Sequence, residues 1–120
     1  RRAIPLAVAG AFHSPLMAPA SEGRAARLPE TEVLAPKIPV VCNVTGEPVT
    51  DPGQIRENLV AQLVNPVLWE RSMRGLVDGG VTGFTEPGPG TVLAGLMKKI
   101  DRDTPVRGYP DADSLEENEA

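Results

Sequence analysis

The stretch IPVVCNV at residues 38–44 is the strongest indication of fold class in this 120-residue chain. It is nearly continuous in apolar residues and lacks the strict alternation that a half-solvated strand shows. Such a run is typical of a strand in a parallel sheet that is buried on both faces. We therefore expect residues 38–44 to form a core strand.

Helices and strands are predicted to alternate on the C-terminal side of this strand. Asp51 is placed to cap a helix that begins at Pro52. The apolar stripe of that helix is Ile55, Leu59 and Leu63. A helix, a strand, a turn, a helix and an extended segment then follow, at residues 69–78, 81–85, 86–90, 91–100 and 104–107.

The N-terminal side is predicted to contain a short strand, a loop and a helix. Apolar residues alternate over residues 3–9, and Pro5 favours a position at a sheet edge. A helix is expected from Pro15 to Leu28, because Pro29 would end it. Together with the elements that follow, this order predicts an α/β layered architecture.

Charge and composition exclude several classes of function. The net charge of −4 comes from five acids in residues 111–120, and the rest of the chain is nearly neutral, so no basic surface for nucleic acid is expected. No apolar run is long enough to span a membrane. The single cysteine, Cys42, cannot form an internal disulfide, which favours a cytoplasmic protein, and one histidine with one distant cysteine predicts no metal site.

The histidine that could carry chemistry is His13, within the loop GAFHSPLM at residues 10–17. An imidazole suits proton transfer at neutral pH, but a lone loop histidine is also common as a structural or exposed residue. Ser14 is adjacent, and neighbouring side chains of an extended segment point in opposite directions, so we reject a His13–Ser14 dyad. The chain contains no Gly-x-Ser-x-Gly elbow that would present another nucleophile.

The sequence EPGPG at residues 86–90 could be mistaken for a phosphate-binding loop. It lacks a Gly-Lys-Ser/Thr ending and contains two prolines, which have no backbone donor. These features favour a tight structural turn.

Four strings in order resemble the malonyl transacylases and the acyltransferase domains of polyketide synthases. They are GAFHSPLM at 10–17, PVVCNV at 39–44, QLVNPVLW at 62–69 and EPGPG at 86–90 with the leucines that follow. The resemblance covers residues 1–108. It implies that residues 10–108 are the C-terminal part of an α/β-hydrolase-like acyltransferase core, that residues 1–9 are the last strand of a ferredoxin-like subdomain, and that residues 109–120 are a disordered acidic tail.

The resemblance also implies a mechanism. In this family an upstream serine attacks the malonyl thioester, and the phosphopantetheine thiol of acyl carrier protein resolves the acyl-enzyme. His13 matches the general base, and Gln62 matches the residue whose main-chain carbonyl orients it. Phe12 matches a position that excludes substrates with an α-methyl group, and the alternative interpretation is that its ring anchors the loop to the core.

The function implied is therefore malonyl transfer from coenzyme A to acyl carrier protein, with no tightly bound cofactor. The partners implied are malonyl-CoA, acyl carrier protein and the N-terminal remainder of the same enzyme, because the serine lies outside this chain. Because the chain starts at Arg1 without a methionine, we expect a cut chain that is inactive alone. The alternative is a non-enzymatic remnant or interaction domain derived from the scaffold.

Basic residues on the predicted helices could meet an acidic carrier protein through complementary charge. They are Arg71, Arg74, Lys98, Lys99 and Arg102. An ordinary solvated helix face is the alternative interpretation for most of them.

Overall fold

A computed structural model describes residues 10–116 of the chain. The predicted strand at residues 3–9 lies outside the described residues. The chain divides into two compact units, the first ending at Trp69 and the second beginning at Glu70. Within the described residues, no helix has the length and apolar character needed to cross a membrane.

The first unit is built from two helices and a small hairpin. Its elements are α1 (Ala18–Arg27), β1 (Val40–Val41), β2 (Pro48–Val49) and α2 (Pro52–Ala61), with single 3-10 turns on either side of α1 at Pro15–Met17 and Leu28–Glu30. Helix α1 confirms the helix predicted at residues 15–28, and it packs against α2. Asp51 caps α2 as predicted, since its carboxylate accepts the Gln54 main-chain N–H at 2.7 Å.

The prediction of a core strand over residues 38–44 is wrong in the described part of the chain. Of these residues only Val40 and Val41 form a strand, β1, and it pairs antiparallel with β2 rather than within a parallel sheet. Ile38 and Val40 are 77% and 45% exposed. Within residues 10–116 the two-residue strand β2 is the one strand beside β1, so the apolar run is only partly covered.

The second unit contains a parallel strand pair joined by a helix. Helix α3 (Trp69–Asp78) begins at the last residue of the first unit, and its other residues belong to the second. The elements that follow are β3 (Phe84–Pro87), α4 (Val92–Ile100), β4 (Val106–Tyr109) and the short helix α5 (Asp113–Glu116). Strand β3 pairs in parallel with β4 from Phe84 opposite Val106 to Pro87 opposite Tyr109. The α/β class is therefore confirmed, and the connection through α4 is the long crossover that parallel strands require.

Two predicted boundaries in this unit shift. The strand expected at residues 81–85 begins at Phe84, and the extended segment expected at 104–107 continues to Tyr109. The tail predicted as disordered from residue 109 is ordered at its start, because Tyr109 lies in β4 and residues 113–116 form α5. The Asp111 carboxylate accepts the Ser114 main-chain N–H at 3.0 Å, which is the hydrogen bond of a helix cap.

Glu86 holds β3 to the beginning of α4. The residue is 8% exposed, and its two carboxylate oxygens accept the main-chain N–H groups of Leu93 and Ala94, each at 2.9 Å. These N–H groups belong to the first turn of α4, and the N–H groups of a first turn have no acceptor within the helix. The turn between the elements needs left-handed backbone at Gly88 and Gly90, with φ of 120° and 94°. A structural turn is therefore confirmed, and the donors of the helix that an anion would use are occupied.

We predict that Glu86→Ala lowers the free energy of unfolding by about 2 kcal/mol, because two part-buried hydrogen bonds lose their charged acceptor and leave two main-chain N–H groups unpaired. Urea denaturation would measure the change. The matched control is Glu70→Ala, which removes an exposed ion pair with Arg74 at 2.9 Å and should cost about 0.5 kcal/mol or less. Equal losses in the two variants would contradict the role assigned to Glu86.

Candidate functional site

His13 occupies a backbone conformation that few residues adopt. Its φ is 63°, and His13 is the one non-glycine residue with a positive φ among residues 10–116. Left-handed backbone at such a residue costs about 1–3 kcal/mol and persists only where surrounding contacts hold it. One of those contacts is the hydrogen bond from the His13 main-chain N–H to the Leu63 carbonyl, at 3.0 Å.

The imidazole of His13 is oriented by the main chain of Gln62. Its Nδ1 lies 2.7 Å from the Gln62 carbonyl oxygen, across 49 positions of sequence. A carbonyl oxygen can only accept, so Nδ1 must carry the proton in this contact. In the neutral ring Nε2 is then the nitrogen with a free lone pair, and it is the atom available as a base.

The carbonyls that His13 contacts lie where α2 ends and lack donor partners within the helix. The helix ends at Ala61 and Gln62 is its C-cap, so the carbonyls of residues 62 and 63 have no partner further along the helix. His13 satisfies both of them, one with its ring and one with its backbone.

The neighbouring carbonyls of α2 are held from outside the helix as well. The Ser21 hydroxyl, the Arg24 guanidinium and the Asn65 side-chain amide donate to the carbonyls of residues 60, 59 and 61, at 3.0, 3.0 and 2.8 Å. Five successive carbonyls, from residue 59 to residue 63, therefore receive such bonds. We call this set the carbonyl cluster of α2.

Asn43 reaches the same helix end from the β1–β2 hairpin. Its side-chain Nδ2 donates to the Gln62 side-chain oxygen at 3.2 Å, and its main-chain oxygen accepts the Leu68 N–H at 2.8 Å. Gln62 thus has two separate contacts, its carbonyl with His13 and its side chain with Asn43.

Phe12 and Ser14 flank His13 with different roles. The Phe12 ring is 59% exposed and lies over its own loop, since a Cβ added at Gly10 would meet the ring at 3.0 Å. Within the described residues it is not buried as a core anchor would be. The Ser14 hydroxyl donates to the Ala11 carbonyl at 2.7 Å, which gives it a structural partner inside the loop.

A cavity of about 140 Å³ lies between β1 and α2. Apolar side chains dominate its lining, and Gln62 and Asn43 stand among them. The lining residues are Val40, Val41, Cys42, Asn43, Ile55, Asn58, Leu59 and Gln62. The cavity therefore adjoins the residue that orients His13.

The structure brings His13 and Gln62 together, whereas sequence reasoning gave no role to Asn43, Ser21 or Arg24. A signal for the last two was present, because Ser21 and Arg24 are three residues apart and so share one face of a helix. No such spacing marks Asn43. Its contact with Gln62 depends on how the hairpin meets the end of α2.

Comparison with known proteins identifies the class to which this chain is related. Its relatives are transferases of acyl groups. They are malonyl CoA-acyl carrier protein transacylases, and the resemblance noted in the sequence is confirmed. No protein-family model matches the chain.

The similarity extends over nearly all of this chain and over part of each relative. The transacylase of Bacillus subtilis is 41% identical over 116 residues, which are 97% of this chain and 37% of that protein. The crystal structure of an acyl carrier protein S-malonyltransferase from Vibrio cholerae superposes with a TM-score of 0.89 at 39% identity, over 98% of this chain and 39% of that one.

A second solved structure contains a partner. It is a malonyl-transacylase in complex with a type II polyketide synthase acyl-carrier protein, with a TM-score of 0.88 at 39% identity over 96% of this chain and 37% of that one. This chain therefore spans about two fifths of the length of the relatives it matches.

We predict that Ser21→Ala lowers the free energy of unfolding by about 1 kcal/mol, because a buried hydroxyl that donates to the carbonyl cluster is lost. Chemical denaturation would measure it. Ser14→Ala is the control, since its hydrogen bond lies at an exposed loop and should contribute less. A larger loss in Ser14→Ala than in Ser21→Ala would contradict this assignment.

Proposed function

We propose that this chain is part of an acyltransferase that moves a malonyl group from coenzyme A to the phosphopantetheine thiol of acyl carrier protein, with His13 as general base. The observation that carries the proposal is the 2.7 Å contact between His13 Nδ1 and the Gln62 carbonyl, which leaves Nε2 as the basic nitrogen. The names of the relatives support the substrates.

The reaction takes place in two halves. In each half His13 accepts one proton and then gives it up again. In the first half, Nε2 accepts the proton of a serine hydroxyl as its oxygen attacks the malonyl thioester. The imidazolium then returns the proton to the coenzyme A thiolate as it leaves. In the second half, Nε2 takes the proton of the phosphopantetheine thiol, and the imidazolium returns it to the serine oxygen.

The Gln62 carbonyl takes the place that an aspartate has in many catalytic triads. It fixes the ring through Nδ1 and, with its neighbours in the carbonyl cluster of α2, offers partial negative charge to the imidazolium that forms in each half. No net charge of a carboxylate is needed. Gln62 therefore acts through its main chain, as the resemblance implied.

The serine is supplied by another part of the enzyme, since this chain has no Gly-x-Ser-x-Gly elbow. The chain by itself is then inactive, and it needs the N-terminal remainder of the enzyme as a partner to supply the serine. The exposed Ile38 and Val40 support this view, because large apolar side chains that lie close together at a surface are typical of an interface. We propose that they belong to an α/β-hydrolase-like core, and that residues 1–9 belong to a ferredoxin-like subdomain.

Phe12 is proposed to restrict the substrate. Its ring is 59% exposed and immediately precedes His13, so it is available to a group bound at the histidine. A bulky ring there leaves little room for an α-methyl group on the acyl chain. Neither malonyl transfer nor this selection needs a metal or a tightly bound cofactor.

Acyl carrier protein is proposed to approach the basic end of α4. Lys98 and Lys99 lie in the last turn of that helix and are exposed. Arg74, by contrast, already pairs with Glu70 at 2.9 Å. The two lysines are therefore better candidates than Arg74 for steering an acidic partner.

We predict that His13→Asn in the complete enzyme lowers the rate of acyl-enzyme formation by about 10²-fold or more, because the general base is lost. Asparagine tolerates left-handed backbone and keeps an amide donor for the Gln62 carbonyl, so the variant should fold like the parent enzyme. Single-turnover labelling by malonyl-CoA would measure the rate.

The matched control is Ser14→Ala, whose labelling should stay close to that of the parent. Labelling of His13→Asn at the parental rate would refute the assignment of His13. A complete parent polypeptide that folds and takes no malonyl label would instead favour the non-enzymatic remnant.

We predict that the double variant Lys98→Glu/Lys99→Glu raises the KM for acyl carrier protein by about tenfold at low salt and leaves the KM for malonyl-CoA unchanged. Charge steering is screened by salt, so the difference should shrink as ionic strength rises. Steady-state transfer at several salt concentrations would measure it. An unchanged carrier-protein KM at low salt would remove these lysines from the docking surface.

A further inference from the structure

The segment from Gln62 to Leu68 is tied at both ends by a single residue, Asn43. The Asn43 side chain holds the Gln62 side chain at 3.2 Å, and its main-chain oxygen accepts the Leu68 N–H at 2.8 Å. Between these two points the chain leaves α2 and has no regular secondary structure until α3 begins. This segment carries both carbonyls that contact His13.

We propose that Asn43 is a positioning residue that orients the imidazole of His13 by holding the side chain of Gln62. The proposal rests on the proposed function for its effect on rate, whereas its effect on the orientation of the ring does not depend on malonyl transfer. Asn43 contacts no reacting atom in this role and acts only through residue 62.

The mechanical link runs through the backbone of residue 62. Gln62 is the C-cap of α2, with ψ of −24°, and rotation about ψ turns its carbonyl. A helix end frays easily, because its last carbonyls lack partners within the helix. Asn43 holds the Gln62 side chain at one end and the Leu68 N–H at the other, so the chain on both sides of this carbonyl is restrained and the oxygen 2.7 Å from His13 Nδ1 keeps its direction.

The geometry separates orientation from stability. The contact between Asn43 and Gln62 is exposed, so it contributes little to the free energy of unfolding. Asn65 holds the Ala61 carbonyl independently, at 2.8 Å, so the last turn of α2 stays in place without Asn43. Loss of the Asn43 side chain should therefore disturb the ring of His13 while the fold remains.

A double-mutant cycle in the complete enzyme tests the link. Asn43→Ala and Gln62→Ala should each slow the first-turnover formation of acyl-enzyme by about tenfold, with the KM for malonyl-CoA unchanged, because misorientation of a base affects the chemical step. The double variant should be no slower than either single variant. If the two effects multiply, Asn43 does not act through Gln62 and the proposal is overturned.

A conservative pair of variants tests the same hydrogen bond without removing either side chain. Asn43→Asp should retain most of the rate, because the Gln62 amide can turn and donate its N–H to the new carboxylate. Asn43→Asp combined with Gln62→Glu should be slow, since two ionised carboxylates have no proton to donate and repel each other. A double variant that keeps the rate of the parent would overturn the proposal.

The ring itself provides a readout that does not depend on turnover. The Nδ1–H proton of His13, assigned by its loss in His13→Ala, should give a resolved downfield NMR signal in the parent that exchanges faster with solvent in Asn43→Ala. Glu57→Ala is the control, because it removes an exposed 3.2 Å side-chain contact with Gln54 on the same helix. An Nδ1–H signal that exchanges equally in the parent and in Asn43→Ala would overturn the proposal.

The outcomes also separate this inference from the proposed function. If His13→Asn labels at the parental rate, the proposed function fails, while faster Nδ1–H exchange in Asn43→Ala would still support the positioning role. If Asn43→Ala labels at the parental rate and His13→Asn does not, the positioning role fails and the proposed function stands.

Discussion

The carbonyl cluster at the end of α2 is the constraint on which the first unit depends. A helix end leaves carbonyls without partners, and burial of such groups costs free energy unless donors are brought to them. Here the donors come from α1, from the segment after α2 and from the histidine loop. One requirement of backbone chemistry therefore assembles three separate parts of the chain, and the base is one of the groups that meet it.

Much of the fold follows from local signals in the sequence. The cap at Asp51, the helix at residues 69–78 and the turn before α4 are encoded by nearby residues, and the structure confirms all of them. The prediction of a strand at residues 38–44 was wrong, because an apolar run indicates that its side chains need burial and does not indicate which element covers them. In the described residues only β2 lies beside β1, and the run remains largely exposed.

The candidate site was less accessible to sequence reasoning than the fold. His13 and Gln62 are 49 positions apart, and no spacing rule joins them, so their pairing came only from resemblance to a family. Glu86 shows the same limit, because its carboxylate serves a helix that begins after it, and the sequence EPGPG presents only a turn. Contacts made by backbone atoms leave little trace in residue type, and those contacts hold His13 here.

The left-handed backbone of His13 has a consequence for how this scaffold can change. At a φ of 63°, asparagine and aspartate are tolerated better than β-branched or bulky residues. The codons of both differ from those of histidine by a single first base. Asparagine, which unlike aspartate also keeps a donor for the Gln62 carbonyl, is thus within one nucleotide change of histidine and supplies no neutral imidazole. A gene of this kind lies one mutational step from encoding a well-folded scaffold without its proton carrier.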